Sequence, residues 1–346
     1  MIYRKLGKTG LKVSVLGIGG GAFFGSDKKK DQVGKIIEYG FRNGITLIET
    51  AEDYGEEKIA SFIEKIREKI ILASKSFSSN KKDMEKSIKN SLRKLATNYI
   101  DIYMMHTVDS IESLNFRINN GVLSALKIAK SKGMIKYIGI TSHNIPTLIE
   151  AVKTNEFDVI EVPYCIGASE TEELFDYTKK YGIGVIAMRP LGGGILVDRS
   201  KKIHFMNVKN ALGYVLSNKN VASALVGVSS EAHLEENLKA INSVNLSNFP
   251  RKVVEKKTKE FLGSNFCRGC LACMPCKVHG WSLPIDQLMR MEIFYFKYKI
   301  LSVETDYKNL NLKASDCTKC KECEKKCPYN VPIIKKMEKL ERVFGE

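Results

Sequence analysis

The chain has 346 residues, enough for two domains, and its composition of 44% hydrophobic and 27% charged residues is ordinary for a soluble globular protein. The net charge is +16, but the lysines are spread along the chain and no helix pattern concentrates them with aromatic residues, so we interpret them as a solvated surface; an acidic protein partner or nucleic acid is the alternative explanation. No apolar stretch is long enough to span a membrane and no signal-peptide pattern is present, so we expect a cytoplasmic protein with reduced thiols.

Short β-branched runs alternate with longer amphipathic segments over residues 16–241. Before them, residues 2–4 and 12–15 flank a glycine-bounded turn at 7–10 and predict a β-hairpin. The predicted strands cover residues 16–20, 47–50, 70–74, 100–105, 137–141, 159–163, 184–188 and 222–226. Most are followed by apolar residues at helical spacing, most clearly at 32–41, 84–95, 122–129, 174–181 and 234–241.

Eight strand–helix units in series predict a (β/α)8 TIM barrel, whose strands read as continuous apolar runs because both faces are covered. A doubly wound open sheet is the alternative, but the glycines at 19–21 lack the GxGxxG spacing of that fold. We place the barrel at residues 1–245 and a second domain at residues 246–346.

Polar residues stand at or just beyond the ends of the predicted strands, where the active sites of such barrels lie. In chain order they are Glu49, Tyr54, Lys75, His106, Ser142 and Glu161, and the next strand end carries the apolar Met188. Each alone has an ordinary structural explanation, but a carboxylate, a phenol, an ammonium and an imidazole at one barrel mouth favour a catalytic site. A lysine ammonium lowers the pKa of a neighbouring tyrosine from its usual value of about 10, and a carboxylate keeps the lysine charged. The set predicts proton donation to a carbonyl oxygen while an electron pair reaches the carbon.

The first 241 residues or so resemble the aldo-keto reductase family, and the C-terminal tail resembles an iron–sulfur subgroup of it. The matching stretches are LGKTGLKVSVLG at 6–17, IETAEDYG at 48–55, SK at 74–75, IDIYMMH at 100–106, YIGITS at 137–142, PLGG at 190–193 and LEENLKA at 234–240. The resemblance implies that Tyr54 is the general acid, Lys75 its partner and His106 the imidazole that orients the substrate. Glu49 stands where the family usually has aspartate, so its extra methylene must be accommodated.

The same resemblance implies an NADP(H) or NAD(H) site. The corresponding positions are Gly20, Gly21, Thr141, Ser142, Glu161, Met188, Arg189, Leu191, Ser229, Ser230, His233 and Asn237. Glu161 replaces the usual glutamine, and Met188 with Arg189 replaces the aromatic residue that stacks on the nicotinamide. The basic groups that often bind a 2′-phosphate are replaced by hydroxyls and a histidine, so the choice between NADPH and NADH stays open.

Eight of the nine cysteines form two runs near the C-terminus, Cys267-x2-Cys270-x2-Cys273-x2-Cys276 and Cys317-x2-Cys320-x2-Cys323-x3-Cys327-Pro328. The second run has bacterial ferredoxin spacing, and such runs exchange their fourth cysteines between two clusters. This pattern predicts one 4Fe-4S cluster on Cys267, Cys270, Cys273 and Cys327, and another on Cys317, Cys320, Cys323 and Cys276. Zinc held by four cysteines is the alternative, although zinc sites usually separate two CxxC pairs by a longer loop.

The segment between the two runs is long for a small ferredoxin, and its apolar stretch at residues 285–300 predicts a helix. We therefore expect a small, mainly helical ferredoxin-like domain. The remaining cysteine, Cys165, is predicted to be a half-buried apolar residue without a role in a cluster.

The sequence favours an iron–sulfur oxidoreductase that acts on a small-molecule carbonyl or alcohol with NAD(P)H, cluster-delivered electrons or both. Nicotinamide moves two electrons and a cluster moves one, so contact between them needs a flavin or a redox-active substrate, and the sequence has no flavin-binding signature. The alternatives are a carbonyl reductase with structural clusters and a non-enzymatic electron carrier or redox sensor. The expected protein partner is an acidic electron carrier, a ferredoxin or flavodoxin.

Overall fold

A computed structural model describes residues 1–21, 30–198, 200–278 and 280–345 of the chain. Eight parallel strands close into a barrel, and the last strand pairs with the first, with Ala224 opposite Leu16. The strands are β3 (Leu16–Gly19), β4 (Leu47–Glu49), β5 (Ile71–Ser76), β6 (Ile100–Met105), β7 (Ile135–Thr141), β8 (Val159–Pro163), β9 (Gly184–Met188) and β10 (Val221–Val226). The predicted (β/α)8 barrel is confirmed.

An antiparallel hairpin of β1 (Tyr3–Lys5) and β2 (Lys12–Ser14) precedes the barrel, as predicted. Leu6 and Val13 of this hairpin are fully buried and pack with residues of the barrel interior such as Leu47 and Ile102. The hairpin therefore closes the amino-terminal end of the barrel and leaves the carboxyl ends of the strands for the site.

Helices follow most of the barrel strands, and among them are the five that the sequence predicts most clearly. With their bounds, these helices are α1 (Lys30–Arg42), α2 (Ala60–Ile66), α3 (Lys81–Lys94), α4 (Ile111–Asn119), α5 (Val122–Ser131), α6 (Ile145–Lys153), α7 (Glu170–Tyr181), α8 (Val208–Leu216) and α9 (Glu231–Asn242). Several begin at a side chain that accepts a hydrogen bond from a backbone N–H of the first turn: Asn80 caps α3, Ser110 caps α4 and Asn144 caps α6. These caps satisfy donors that a helix start leaves unpaired.

One buried ion pair lies at the amino-terminal end of the barrel, away from the polar strand ends. Arg67 Nη2 donates to Asp101 Oδ2 over 2.7 Å, and both side chains are buried. Asp101 also accepts from the Leu72 backbone N–H at 3.0 Å and lies 3.0 Å from Lys136 Nζ. The carboxylate is thus fully engaged with three donors on neighbouring elements, which ties β5, β6 and β7 together.

The C-terminal region begins with α10 (Arg251–Leu262), which packs on the barrel. Arg251 donates to the Tyr214 carbonyl at 2.5 Å and to the Tyr164 hydroxyl at 2.7 Å. A short hairpin and four helices follow: β11 (Lys277–Val278), β12 (Trp281–Ser282), α11 (Ile285–Phe296), α12 (Val303–Lys308), α13 (Glu322–Lys325) and α14 (Ile333–Phe344). The mainly helical domain is confirmed, and the boundary between residues 245 and 246 stays a prediction.

In the part of the chain that the structure describes, no helix combines the length and the apolar character needed to cross a membrane.

Candidate active site and cysteine sites

Four buried ionisable residues meet at the carboxyl ends of the barrel strands. Glu49 ends β4, Lys75 lies in β5, His106 follows β6 and Glu161 lies in β8. Strand β5 continues to Ser76, so Lys75 is held inside the sheet and cannot swing as a loop residue would. Parallel strands bring these four positions to one end of the barrel because their carboxyl ends share that end.

The Lys75 ammonium lies between two carboxylates. It is in direct contact with Glu49 Oε1, lies 3.9 Å from Glu161 Oε1 and donates to the Thr50 carbonyl at 3.3 Å. The other Glu49 oxygen accepts from the Gly20 N–H at 2.9 Å. The extra methylene of Glu49 therefore does not prevent the lysine–carboxylate pair. Burial lowers the pKa of Lys75, and Glu161 opposes that change.

The Tyr54 ring lies beneath this lysine, with Lys75 Nζ 4.9 Å from the ring centre. A β-carbon at Gly21 would lie 3.1 Å from the phenol oxygen, so the glycine lets the hydroxyl approach the chain just after β3. Burial raises the pKa of Tyr54, Glu161 and Asp53 raise it further, and Arg189 is the cation that opposes them. We predicted a lowered pKa; the structure differs because Lys75 is neutralised by Glu49 and the phenol is buried near carboxylates. The phenol therefore remains protonated at neutral pH.

The His106 imidazole forms the next wall of the mouth. It stacks on Phe77 with ring centres 4.0 Å apart and meets the Tyr54 ring edge-on at 5.9 Å. Burial lowers the pKa of His106 to about 2, and the nearby Lys75, His143 and Arg117 contribute. The imidazole is thus neutral over the physiological range. Its Nδ1 is buried without a hydrogen-bond partner and lies 3.8 Å from Asp53 Oδ1.

Sequence reasoning missed two groups beside this set. Phe77 is 49% exposed and gives the mouth an apolar wall, which its place just beyond Lys75 could have indicated. Asp109 binds His143 by two contacts, 2.8 Å to the ring Nδ1 and 2.7 Å to the backbone N–H. The spacing of Asp109 and His143 in the sequence carries no signal for this pair, because it depends on how two loops meet.

The cysteines separate into two groups in the way that the ferredoxin pairing predicts. One cavity is lined by Cys267, Cys270, Cys273 and Cys327, drawn from both runs. We call this the barrel-facing cysteine site. The other four cysteines form the outer cysteine site, in which burial and the neighbouring Cys317 and Cys320 thiols raise the pKa of Cys276. Burial, then Cys317 and Cys276, raise the pKa of Cys323 to about 11, so Cys323 is close enough to interact with both thiols.

Among the described residues, no three His, Cys, Asp or Glu side chains are close enough to hold one metal ion. A cubane takes one cysteine at each of its irons, so its ligands stand further apart than those of a tetrahedral zinc ion. The shared cavity and its all-thiol donor set fit a 4Fe-4S cluster better than a single ion.

The family model described as "Aldo/keto reductase family" matches residues 15–210, and one described as "4Fe-4S dicluster domain" matches residues 266–332. The first match covers more than half of the chain. The chain belongs to the aldo/keto reductase family.

Similar proteins agree with this assignment. L-galactose dehydrogenase of Arabidopsis thaliana is 31% identical over 289 residues, which are 70% of this chain and 88% of that protein. The uncharacterized oxidoreductase YqkF of Bacillus subtilis (strain 168) is 26% identical over 303 residues, 74% of this chain and 96% of that protein. The solved structure of aldo-keto reductase AKR11C1 from Bacillus halodurans, holo form, superposes with a TM-score of 0.65 and 25% identity over 74% of this chain and 96% of that one. This aldo/keto reductase is therefore an oxidoreductase with an added 4Fe-4S dicluster domain.

The positions that the family uses for nicotinamide are partly free and partly engaged in this aldo/keto reductase. Thr141 Oγ1 accepts from the Thr107 N–H at 2.8 Å, and Ser142 Oγ donates to Asp109 at 3.1 Å, so both side chains hold the loop after β6. Among the described residues, buried polar atoms without a hydrogen-bond partner include Glu161 Oε2 and Asn237 Oδ1. Such atoms are costly unless something binds them, so at the mouth Glu161 fits a ligand with a hydrogen-bonding polar group.

The remaining predicted cofactor positions lie at the ends of β9 and β10. Ser230 caps α9 by accepting from the His233 N–H at 3.2 Å, and Ser229 Oγ lies 2.7 Å from His233 Nδ1. Met188 and Leu191 are half-buried beside the mouth. Arg189 instead donates to the Gly269 carbonyl in the first cysteine run at 2.7 Å, which the sequence did not predict.

The dicluster domain packs directly on the loops at the barrel mouth. Tyr298 donates to the Ile195 carbonyl at 2.7 Å, and Arg268 Nε donates to the Gly167 carbonyl at 3.3 Å. Cys165, predicted to be half-buried, is only 3% exposed, and its Sγ lies 3.8 Å from the Arg268 carbonyl. The barrel-facing cysteine site therefore lies against the barrel.

Proposed function

We propose that this oxidoreductase interconverts a small-molecule carbonyl compound and its alcohol at the barrel mouth, with NADPH or NADH as the hydride source. The observation that carries the proposal is the meeting of a protonated phenol, a neutral imidazole and a lysine held between two carboxylates at one end of the barrel. An apolar wall at Phe77 beside these groups suits a substrate with a carbonyl group and a less polar body.

When bound, the nicotinamide supplies the hydride that adds to the carbonyl carbon. The Tyr54 hydroxyl gives its proton to the carbonyl oxygen, which completes the alcohol, and solvent returns a proton to the phenolate. Lys75 lies 4.9 Å from the ring centre with its charge offset by Glu49, and Arg189 is the cation that favours the phenolate once the proton leaves. His106 presents a nitrogen without a protein partner and holds the carbonyl oxygen in line with the phenol.

Glu161 is the residue we assign to the nicotinamide amide. Burial raises the pKa of Glu161, while Lys75 and His143 oppose the change. A protonated glutamic acid offers one O–H donor and one carbonyl acceptor, whereas the ionised form accepts only. In its protonated form Glu161 can therefore replace the glutamine that the family usually has.

We also propose a second supply of electrons through the two clusters. Cys320 of the outer cysteine site is exposed, and the nearby lysines are also exposed, namely Lys277, Lys319, Lys321, Lys325 and Lys326. Positive charge around an exposed cluster suits an acidic electron carrier, a ferredoxin or flavodoxin in its reduced form. By this route two electrons arrive singly and two protons are added, and a flavin or a redox-active substrate is needed if nicotinamide takes part.

The proposed reaction is tested by anaerobic NADPH and NADH oxidation with a panel of aldehydes and ketones. We expect Tyr54→Phe to lower kcat/KM by about 100-fold or more, because the phenol proton is the general acid. Tyr99→Phe is the matched control, since the Tyr99 hydroxyl binds Glu68 at an exposed position at 3.2 Å. Full turnover by Tyr54→Phe would overturn the proposal.

The link between nicotinamide and clusters has its own test, anaerobic EPR of the iron-reconstituted protein with NADPH and then with dithionite. Cluster signals that appear with NADPH would support electronic contact and call for a search for bound flavin. Signals with dithionite alone would leave the carbonyl reaction to nicotinamide and the clusters to a protein donor.

A further inference from the structure

We propose that the Arg189 guanidinium helps to set the reduction potential of a cluster in the barrel-facing cysteine site. The inference rests on the proposed ligands of that cluster. It deepens the proposed supply of electrons through the clusters, because it assigns control of one cluster's potential to a side chain of the barrel.

The first support is the backbone of Arg189. It directly follows β9 and has a φ of 56°, in the left-handed region that non-glycine residues rarely adopt. Its Nη1 donates 2.7 Å to the Gly269 carbonyl, 80 positions away and between two cysteines of the first run. The guanidinium is therefore held in the interface between the barrel and the dicluster domain.

The second support is how tightly the two loops meet. A β-carbon at Gly269 would lie 2.7 Å from the Gly192 carbonyl, so no larger residue fits there without a shift of backbone. Gly269 also has a φ of 63°, which only glycine adopts readily. The cysteine loop and the loop after β9 are thus in direct contact around the Arg189 side chain.

The third support is the set of charges around the guanidinium. An arginine stays charged at any ordinary pH, and Asp286, Cys270 and Cys267 act electrostatically on Arg189. Asp286 also lines the barrel-facing cysteine site. One half-buried positive charge therefore lies beside the cysteine loop that lines the site.

The consequence for redox chemistry follows from Coulomb's law at low local dielectric. Reduction adds one electron, and so one negative charge, to the cluster beside Arg189, and the guanidinium stabilises that charge.

The test is an EPR-monitored redox titration of the full-length two-cluster protein, without nicotinamide or carbonyl compound. Arg189→Gln keeps an N–H donor for the Gly269 carbonyl but removes the charge, while Arg189→Lys keeps the charge. We expect one of the two midpoint potentials to become more negative in Arg189→Gln and to stay near the wild-type value in Arg189→Lys. Arg290→Gln is the interface control, because Arg290 donates to the Gly193 carbonyl at 3.3 Å in the same interface.

Asp286→Asn provides an independent variant of the opposite sign, for use if Arg189→Gln binds less iron. Removing that carboxylate should move the same potential in the positive direction. Unchanged potentials in Arg189→Gln, or in Asp286→Asn, would overturn the inference, as would an equal shift in Arg290→Gln. Turnover is not measured here, so an inactive barrel with the expected potentials would overturn the proposed reaction alone.

Discussion

The Lys75 ammonium lies against the Glu49 carboxylate while Glu161 Oε1 stands 3.9 Å away on its other side. All three groups are buried, so a single positive charge is shared by two acids that are shielded from water. Removing a partner from a buried ion pair leaves an unpaired charge and typically costs about 3–5 kcal/mol. The lysine is therefore both a structural and a chemical element of the mouth.

Lys75→Met should lower the stability of the barrel by about 3–5 kcal/mol at neutral pH, because two buried acids lose their cation. The loss should shrink as the pH falls, since protonation removes the unpaired negative charge. Thermal unfolding followed by circular dichroism under anaerobic conditions measures this. The double variant Lys75→Met with Glu49→Gln should recover most of the loss, and equal melting of the single and double variants would contradict the prediction.

Glu161 should make nicotinamide binding dependent on pH. Its pKa is raised, so the protonated form that can donate to an amide is present at low pH and is lost as the pH rises through that raised pKa. The Kd for NADPH or NADH should rise over that interval. Lys75 and His143 face the same carboxyl, so a comparison with Glu161→Gln isolates the effect of Glu161.

Glu161→Gln should bind the cofactor with a flat pH dependence, because its amide donates and accepts at every pH. Glu161→Leu, similar in size but unable to hydrogen-bond, should bind more weakly throughout. Fluorescence titration of NADPH with the Tyr54→Phe background avoids turnover during the measurement. A sloping pH dependence in Glu161→Gln would assign the titration to another group.

The apolar runs were sufficient to place every barrel strand within two residues of its observed bounds, since a parallel strand covered on both faces must be apolar along its length. The positions of Lys75 and of the other residues at the strand ends followed from these strand assignments. The raised pKa of Tyr54 did not, because burial and the approach of Glu161 are tertiary effects. The contact of Arg189 with Gly269 joins two loops 80 positions apart, and no local pattern encodes it.

Asp101 should contribute to stability without contributing to chemistry. Asp101→Ala leaves Arg67 buried without its carboxylate and the Leu72 N–H without its acceptor, so we expect a loss of about 3–5 kcal/mol. Urea unfolding followed by circular dichroism measures it. Glu304→Gln, which removes an exposed pair with Lys308, should cost about 0–1 kcal/mol. Equal effects of the two substitutions would show that Asp101 has no special structural role.

The exchange of fourth cysteines between the runs makes a prediction about iron content. If Cys276 belongs with Cys317 and Cys320, the double variant Cys276→Ala with Cys317→Ala damages one cluster only. That protein should retain about four of eight irons after reconstitution, since the two-cluster pattern assigns four to each site. If each run held its own cluster, the same double variant would damage both.

The complementary double variant is Cys317→Ala with Cys327→Ala. Under the exchanged pairing it removes one ligand from each cluster and should lose both, although both cysteines lie in the same run. Iron analysis and EPR of the dithionite-reduced proteins distinguish the outcomes, and each single variant serves as a control that loses one cluster. Retention of four irons in this variant together with loss of all iron in the first would mean that each run binds its own cluster. The shared cavity of Cys327 with Cys267, Cys270 and Cys273 leads us to expect the opposite result.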